Sequence, residues 1–309
     1  MTKARGIFGL QLALGGAGLA VTALALYVAL SAVTLDAPSW AAVFAACRSF
    51  VLPQLTFGSL IALGLGSVAF AVLGLAARSA QRQLRARRRF FAGLRVVGPA
   101  PTGRATVFVD RRPQAFCAGL LRPRVYVSTG AVERLERDEL EAVLAHEAHH
   151  ARYRDPLRVF FARVLSDSLF FLPVLRRLAD RYAALAEVAA DAAAVRRHRG
   201  DTRPLAAALV AFEERADLAV VGIAPERVDH LLGERSRWEL PGALLAWATV
   251  VVAALLIVAL RTEQATARAT VSLPLVAAQL CMVAMAVAPL LVGAAALLGS
   301  RRLLRRARD

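Results

Sequence analysis

Four stretches of this chain carry no charged residue and are long enough to cross a bilayer: Ile7–Val33, Leu55–Ala77, Gly242–Leu260 and Leu273–Gly299. About 20 consecutive apolar residues suffice for one helical crossing. This feature points away from an ordinary water-soluble domain and predicts a helical, multi-pass membrane protein with four spans. A hydrophobic fraction of 58% and a mean hydropathy of +0.52 agree. The first stretch is too long for a signal peptide's apolar region and lacks a convincing small-residue cleavage site. We read it as a retained helix.

The charges orient these spans. Lys3 and Arg5 precede the first. Arg78, Arg82, Arg85, Arg87, Arg88, Arg89 and Arg95 follow the second, and Arg301, Arg302, Arg305, Arg306 and Arg308 follow the fourth. The loops after the first and third spans hold far fewer basic residues, which is the positive-inside pattern. Three regions follow: residues 1–77 with two spans and a short outside loop, a cytoplasmic segment 78–240, and residues 241–309 with two spans and a basic tail. Both termini are expected in the cytoplasm. The net charge of +16 lies mostly beside the spans. It therefore implies contact with membrane lipids, and no direct nucleic-acid partner is expected.

No internal repeat or low-complexity linker interrupts the chain. Trp40–Phe50 reads as a short interfacial helix outside the membrane. Cys47, Cys117 and Cys281 are too few and too scattered for a disulfide framework or a cysteine zinc site. In the middle segment, Thr106–Val109, Ala115–Ala118 and Arg124–Ser128 read as strands, the last two joined by a turn at Gly119–Pro123. Arg137–Tyr153, Leu175–His198 and Arg203–Leu218 read as helices. Leu157–Pro173 is apolar but carries Arg158, Arg163 and Asp167, which makes it a poor span. It is expected to pack on the catalytic core and to touch the membrane surface.

The chemistry concentrates in Val143–Asp155, VLAHEAHHARYRD, which holds three of the five histidines. His146 and His150 are four apart, so a helix stacks them on one face. Both can then reach one metal ion. Glu147 occupies the glutamate position of H-E-x-x-H, from which its carboxylate can reach water on that ion without ligating it. Chance supplies this pattern in roughly one such chain in 300. His149 is a neighbour with a supporting role. A third ligand is expected from Glu187, and Asp191, one turn later, can accept a hydrogen bond from a ligand histidine. Such an ion acidifies water and polarises a peptide carbonyl, with Glu147 moving the proton from water to the leaving amine. His198, Tyr153 and Tyr182 are candidates for stabilising the transition state, and the sequence does not choose among them.

Ala115–Leu157, AFCAGLLRPRVYVSTGAVERLERDELEAVLAHEAHHARYRDPL, together with the later AEVAADAAAV, strongly resembles the BlaR/MecR-type membrane metallopeptidases. The resemblance implies an α-helical multi-pass membrane protein with an inserted α+β gluzincin-like zinc metallopeptidase domain. It implies one Zn2+ held by His146, His150 and Glu187, with Glu147 as the catalytic acid and base and Asp191 in support. It suggests that the strand at Ala115, Phe116 and Cys117 pairs with an extended substrate. A protein substrate is implied, with a winged-helix repressor as the family's kind of partner, in a bacterial cell membrane. The chain ends ten residues after the fourth apolar stretch, so no penicillin-binding sensor domain is expected. Two alternatives stand beside this reading: an HtpX-like quality-control protease and a non-catalytic zinc-containing adaptor. Against the first, residues 151–186 are too charged and too few to hold two spans between the second histidine and Glu187.

Overall fold

The computed structural model describes residues 2–34, 39–41, 44, 57–100, 105–213, 240–266, 271–272, 281, 285 and 287–289. Most of the expected fourth span, the interfacial helix at Trp40–Phe50 and the arginine tail lie outside these. Three described helices are long and apolar enough to cross a membrane: α1 (Thr2–Ser31), α2 (Phe57–Ala92) and a later one at Gly242–Thr266. Large apolar side chains such as Leu12, Leu30, Phe70, Leu73, Trp247 and Ile257 stay exposed along them. That arrangement suits lipid and is costly in water.

The described elements correct two expected boundaries. The second apolar stretch does not end its helix at Ala77. Helix α2 continues through the arginine run to Ala92, because arginine is a good helix former and nothing breaks the turn before Gly93. The third helix likewise passes Leu260 and reaches Thr266.

The chain divides into two compact units. In the one formed by residues 21–70 and 253–309, Ala25, Leu65 and Ala259 make a small buried cluster. Strand β1 (Val33–Thr34) pairs in parallel with Val271–Ser272. A side chain at Gly66 would stand 2.8 Å from the Ala29 methyl, so glycine permits close helix approach there.

The other unit, residues 1–20 and 71–252, holds the motif. Its sheet has β2 (Val96–Pro99), β3 (Thr106–Phe108), β4 (Ala115–Ala118) and β5 (Arg124–Ser128) in the order β2-β3-β5-β4. Only the β3–β5 pairing is parallel. Strand β2 was hidden in the sequence, since RVVGPAP carries the glycine and prolines of a turn. Gly119, at φ +125°, makes the tight β4–β5 turn, where a side chain would collide with the Arg122 carbonyl. Ser128 ends β5 and caps the short helix α3 (Thr129–Arg134) by accepting from the Ala131 N–H at 3.0 Å.

Helix α4 (Arg137–Tyr153) opens with a capping box in which the Glu136 N–H donates to Glu139 at 3.0 Å. Val143 and Leu144 bury against Val107, Val125 and Val127 of the sheet. Helices α5 (Asp155–Ser168), α6 (Val174–Arg197) and α7 (Arg203–Glu213) follow. The rest of the expected Arg203–Leu218 helix lies outside the described residues.

Leu157–Pro173 therefore forms most of α5 and the turn after it. Its leucines pack on the apolar helices: Leu165 against Gly15, and Leu169 and Leu172 against Gly18. Leu165, Leu169, Leu172, Val174, Leu175 and Leu178 share one buried cluster with Val72 and Ala248. The segment meets both the catalytic unit and residues of the apolar stretches.

Candidate metal centre

The site begins with a turn. Helix α4 ends at Arg154, which adopts the left-handed conformation (φ 54°) and donates its N–H to the carbonyls of His150 and Ala151. That single residue reverses the chain, and Pro156 is compatible with the first turn of α5. Asp155 is thereby placed beneath the helix it has just left. Its Oδ2 lies 2.8 Å from His150 Nδ1, and its Oδ1 accepts from the Tyr182 hydroxyl at 2.6 Å. Helix α6 crosses α4 and brings Asp191 Oδ1 within 2.9 Å of His146 Nδ1. Asp191 is fully buried.

Each histidine thus has a carboxylate at Nδ1. A proton held there leaves a lone pair on each Nε2. The two Nε2 atoms face each other at 3.2 Å. Glu187 completes the group, with oxygens 3.5 Å from His146 Nε2 and 3.4 Å from His150 Nε2. Three such atoms facing one another suit a cation between them. Tetrahedral ligands around an ion at about 2.0–2.1 Å stand about 3.3–3.4 Å apart. The observed separations match, so these residues suit a small divalent ion such as zinc.

Electrostatics tell the same story without the ion. Burial disfavours the charged His146 ring, yet its bonds to Asp191 and Glu187 outweigh this and raise its pKa to about 9. Burial likewise penalises the Asp155 carboxylate, but His150 and Tyr182 hold it below the usual range. Burial pushes Glu147 upward, against the pull of His146 and His150. A carboxylate raised by burial and close to both histidines suits proton exchange.

A cavity of about 650 Å³ opens on this cluster. His146, Glu147, His150 and Glu187 share its wall with β4 residues Ala115, Phe116 and Cys117, with Arg87 of α2 and with Phe160 and Arg163 of α5. Strand β4 is the sheet edge. Gln114 accepts from Ser128 across the sheet at 2.9 Å. By alternation, the main-chain groups of Ala115 and Cys117 point away from β5. Glu147 already accepts from the Cys117 N–H, and burial lifts the Cys117 thiol to about 12.

The three candidates for transition-state stabilisation do not join this wall among the described residues. The Tyr182 hydroxyl is spent on Asp155. Tyr153 stacks on His149 with ring centroids 4.5 Å apart, on the other side of α4. His198 sits at the C-terminal cap of α6. Helical spacing from Asp191 suggested His198; it stays on nearly the same side of the helix, but the rise of about 1.5 Å per residue carries it along α6 and out of the cavity wall. The sequence reading missed Asp155. The signal was present: an aspartate followed by proline just after the second histidine, where a helix must end and turn back.

Known proteins give consistent matches. Residues 111–235 match the family model described as BlaR1 peptidase M56. The Protease HtpX homolog of Ligilactobacillus salivarius (strain UCC118) is 37% identical over 79 residues, 25% of this chain and 27% of that protein. Protease HtpX homolog 2 of Methanosarcina acetivorans is 35% identical over 79 residues, again 25% and 27%. The chain spans about a quarter of the length of the curated relatives it matches. No solved structure matches. Residues 111–235, which carry both histidines, both glutamates and the two supporting aspartates, are thus similar to the BlaR1 M56 peptidase, in a chain that also holds three described helices long and apolar enough to cross a membrane.

Proposed function

We propose that this protein is a zinc-dependent membrane endopeptidase of gluzincin type whose catalytic segment, residues 78–240, faces the cytoplasm. His146, His150 and Glu187 would hold one zinc ion, and Asp191 and Asp155 would orient the two rings. One observation carries the reading: two Nε2 lone pairs and a carboxylate converge at 3.2–3.5 Å beside Glu147 in a cavity with a free sheet edge. When bound, zinc supplies the Lewis acidity that polarises a peptide carbonyl and acidifies water. Glu147 takes a proton from water and later delivers it to the leaving nitrogen. An extended substrate aligns on Ala115 and Cys117 of β4. The Cys117 N–H, now held by Glu147, becomes available as the carboxylate turns to water. The test pairs metal analysis with proteolysis: stoichiometric zinc in wild type and in Glu147→Gln, and cleavage only in wild type. Zinc that persists after His150→Ala and Glu187→Ala would remove this ligand set.

Two physiological roles fit. One is signalling by cleavage of a cytoplasmic protein, such as a winged-helix repressor, the role that the resemblance to the BlaR/MecR-type peptidases implies. The other is membrane quality control by an HtpX-like protease, to which the matches with Protease HtpX homologs lend equal weight as a peptidase likeness. Comparing the proteomes of wild-type and Glu147→Gln cells separates them, since one role yields a single cleaved regulator and the other many damaged membrane proteins. Orientation is checked by single cysteines placed at Arg88, Arg199 and Arg305. None should react with an impermeant thiol reagent in intact cells.

A further inference from the structure

The two sides of the catalytic cavity differ in charge. Helices α4 and α6 supply Glu147 and Glu187, and Asp155 opens α5; Glu187 and Asp155 lie against the histidines, and Glu147 accepts from the Cys117 N–H. The opposite side, from α2 and α5, supplies Arg87 and Arg163. Nearby arginines on the same helices behave differently: Arg82 pairs with Asp167 at 3.5 Å. Among the described residues neither Arg87 nor Arg163 has a carboxylate partner. Arg163 is exposed at the mouth, while Arg87 is half-buried. The Arg87 guanidinium rests over the Phe91 ring, 5.7 Å from its centre, and that stacking fixes its plane. Its Nη2 is shut off from solvent and has no hydrogen-bond partner among the described residues. A charged donor left unmet beside a binding cavity is expensive, and a ligand whose entry shifts the Arg87 side chain towards the cavity it lines can meet it.

We propose that Arg87 is a specificity-determining residue that receives a substrate carboxylate, so that the enzyme prefers polypeptides with an Asp or Glu beside the scissile bond. The inference rests on the peptidase reading of the same cavity. A neutral main-chain carbonyl could satisfy the Nη2 hydrogen but would leave the guanidinium charge unpaired. A carboxylate meets both needs, because its two oxygens match the guanidinium fork. Repulsion from Glu147 and Glu187 keeps an acidic side chain away from the metal side and directs it to the arginine side. Arg163, in solvent at the mouth, adds a screened attraction that steers the acidic segment inward.

The experiment uses binding, so that it does not depend on turnover. Full-length Glu147→Gln protein, zinc-loaded and in detergent, is titrated with short fluorescent peptides. One Glu is moved through the central positions, and each peptide is matched to its Gln twin. At one position the Glu peptide should bind on the order of tenfold tighter than its twin. Adding Arg87→Gln should bring that ratio to about one, and Arg87→Glu should invert it towards a Lys peptide. Arg163→Gln should lower the ratio less, and only at low salt. The ratio is taken within one preparation, so partial misfolding of a variant does not distort it. Equal affinities for every twin pair, or an unchanged ratio in Arg87→Gln, overturns the assignment. Proteolysis by wild type, scored separately, reports on the peptidase reading itself.

Discussion

Helix α4 carries three histidines within five residues, and its two faces treat them in opposite ways. On one face His146 and His150 each meet a carboxylate, and the His146 pKa is raised to about 9. On the other, His149 meets Tyr153 and no acid at bonding distance. Burial and then the charge of His150 lower it to about 4. All three rings are buried. Burial works against the charged form of both His146 and His149, so the acids that α6 brings to His146 make the difference. A histidine becomes a candidate metal ligand here by what crosses its helix.

The comparison breaks first if the ligand face tolerates loss. His150→Ala and Glu187→Ala should each abolish stoichiometric zinc and all proteolysis, as read by metal analysis and peptide cleavage. Glu147→Gln comes next. It should lower turnover by roughly 10²–10⁴-fold while zinc stays bound, because an amide cannot accept the proton. Asp191→Asn and Asp155→Asn keep the shapes but alter what holds Nδ1. Each should weaken zinc binding by about 10–100-fold in a competition titration with a chelator. Tyr182→Phe, which removes one bond to Asp155, should fall well short of that.

Acidity gives a finer test on metal-free protein. The folded state raises the His146 pKa from 6.5 to about 9, so its contribution is complete below 6.5 and is lost as pH climbs towards 9. The folded state lowers the His149 pKa from 6.5 to about 4, so its contribution is complete above 6.5 and is lost as pH falls towards 4. Melting temperature against pH should therefore decline on both sides. His146→Gln should flatten the alkaline limb, and His149→Gln the acid one. Zinc should flatten the alkaline limb in wild type, since it replaces the proton. The smallest effect is expected for activity in His149→Gln, within about twofold of wild type with zinc retained. Loss of zinc there would mean that the two faces are not distinct.

The catalytic helix was legible because its signals are local. Capping acids, a periodic apolar side and Pro156 bound it, and the structure ends it at Tyr153 as read. The β4–β5 hairpin was legible through Gly119 and the β-branched run. Helix crossing was not legible. Asp155 acts through a left-handed residue at Arg154, where nothing in the side chain announces the conformation. Helix α2 outran its apolar stretch because hydropathy marks where lipid ends and not where a helix does. The role suggested for His198 relied on helical spacing, which gives a direction but no neighbours, and Tyr153 and Tyr182 were candidates by residue type alone.

Gln11 gives the first apolar helix a history. It lies within a charge-free stretch, is fully buried, and donates from Nε2 to the carbonyls of Ala162 at 3.1 Å and Leu175 at 3.4 Å. Those acceptors lie more than 150 residues later. During synthesis the helix is complete long before either acceptor exists. Its amide must therefore be carried without these partners, held near the surface or bonded to its own backbone, until α5 and α6 arrive. The amide makes the helix a slightly worse anchor while the chain grows and a fixed strut once it has folded.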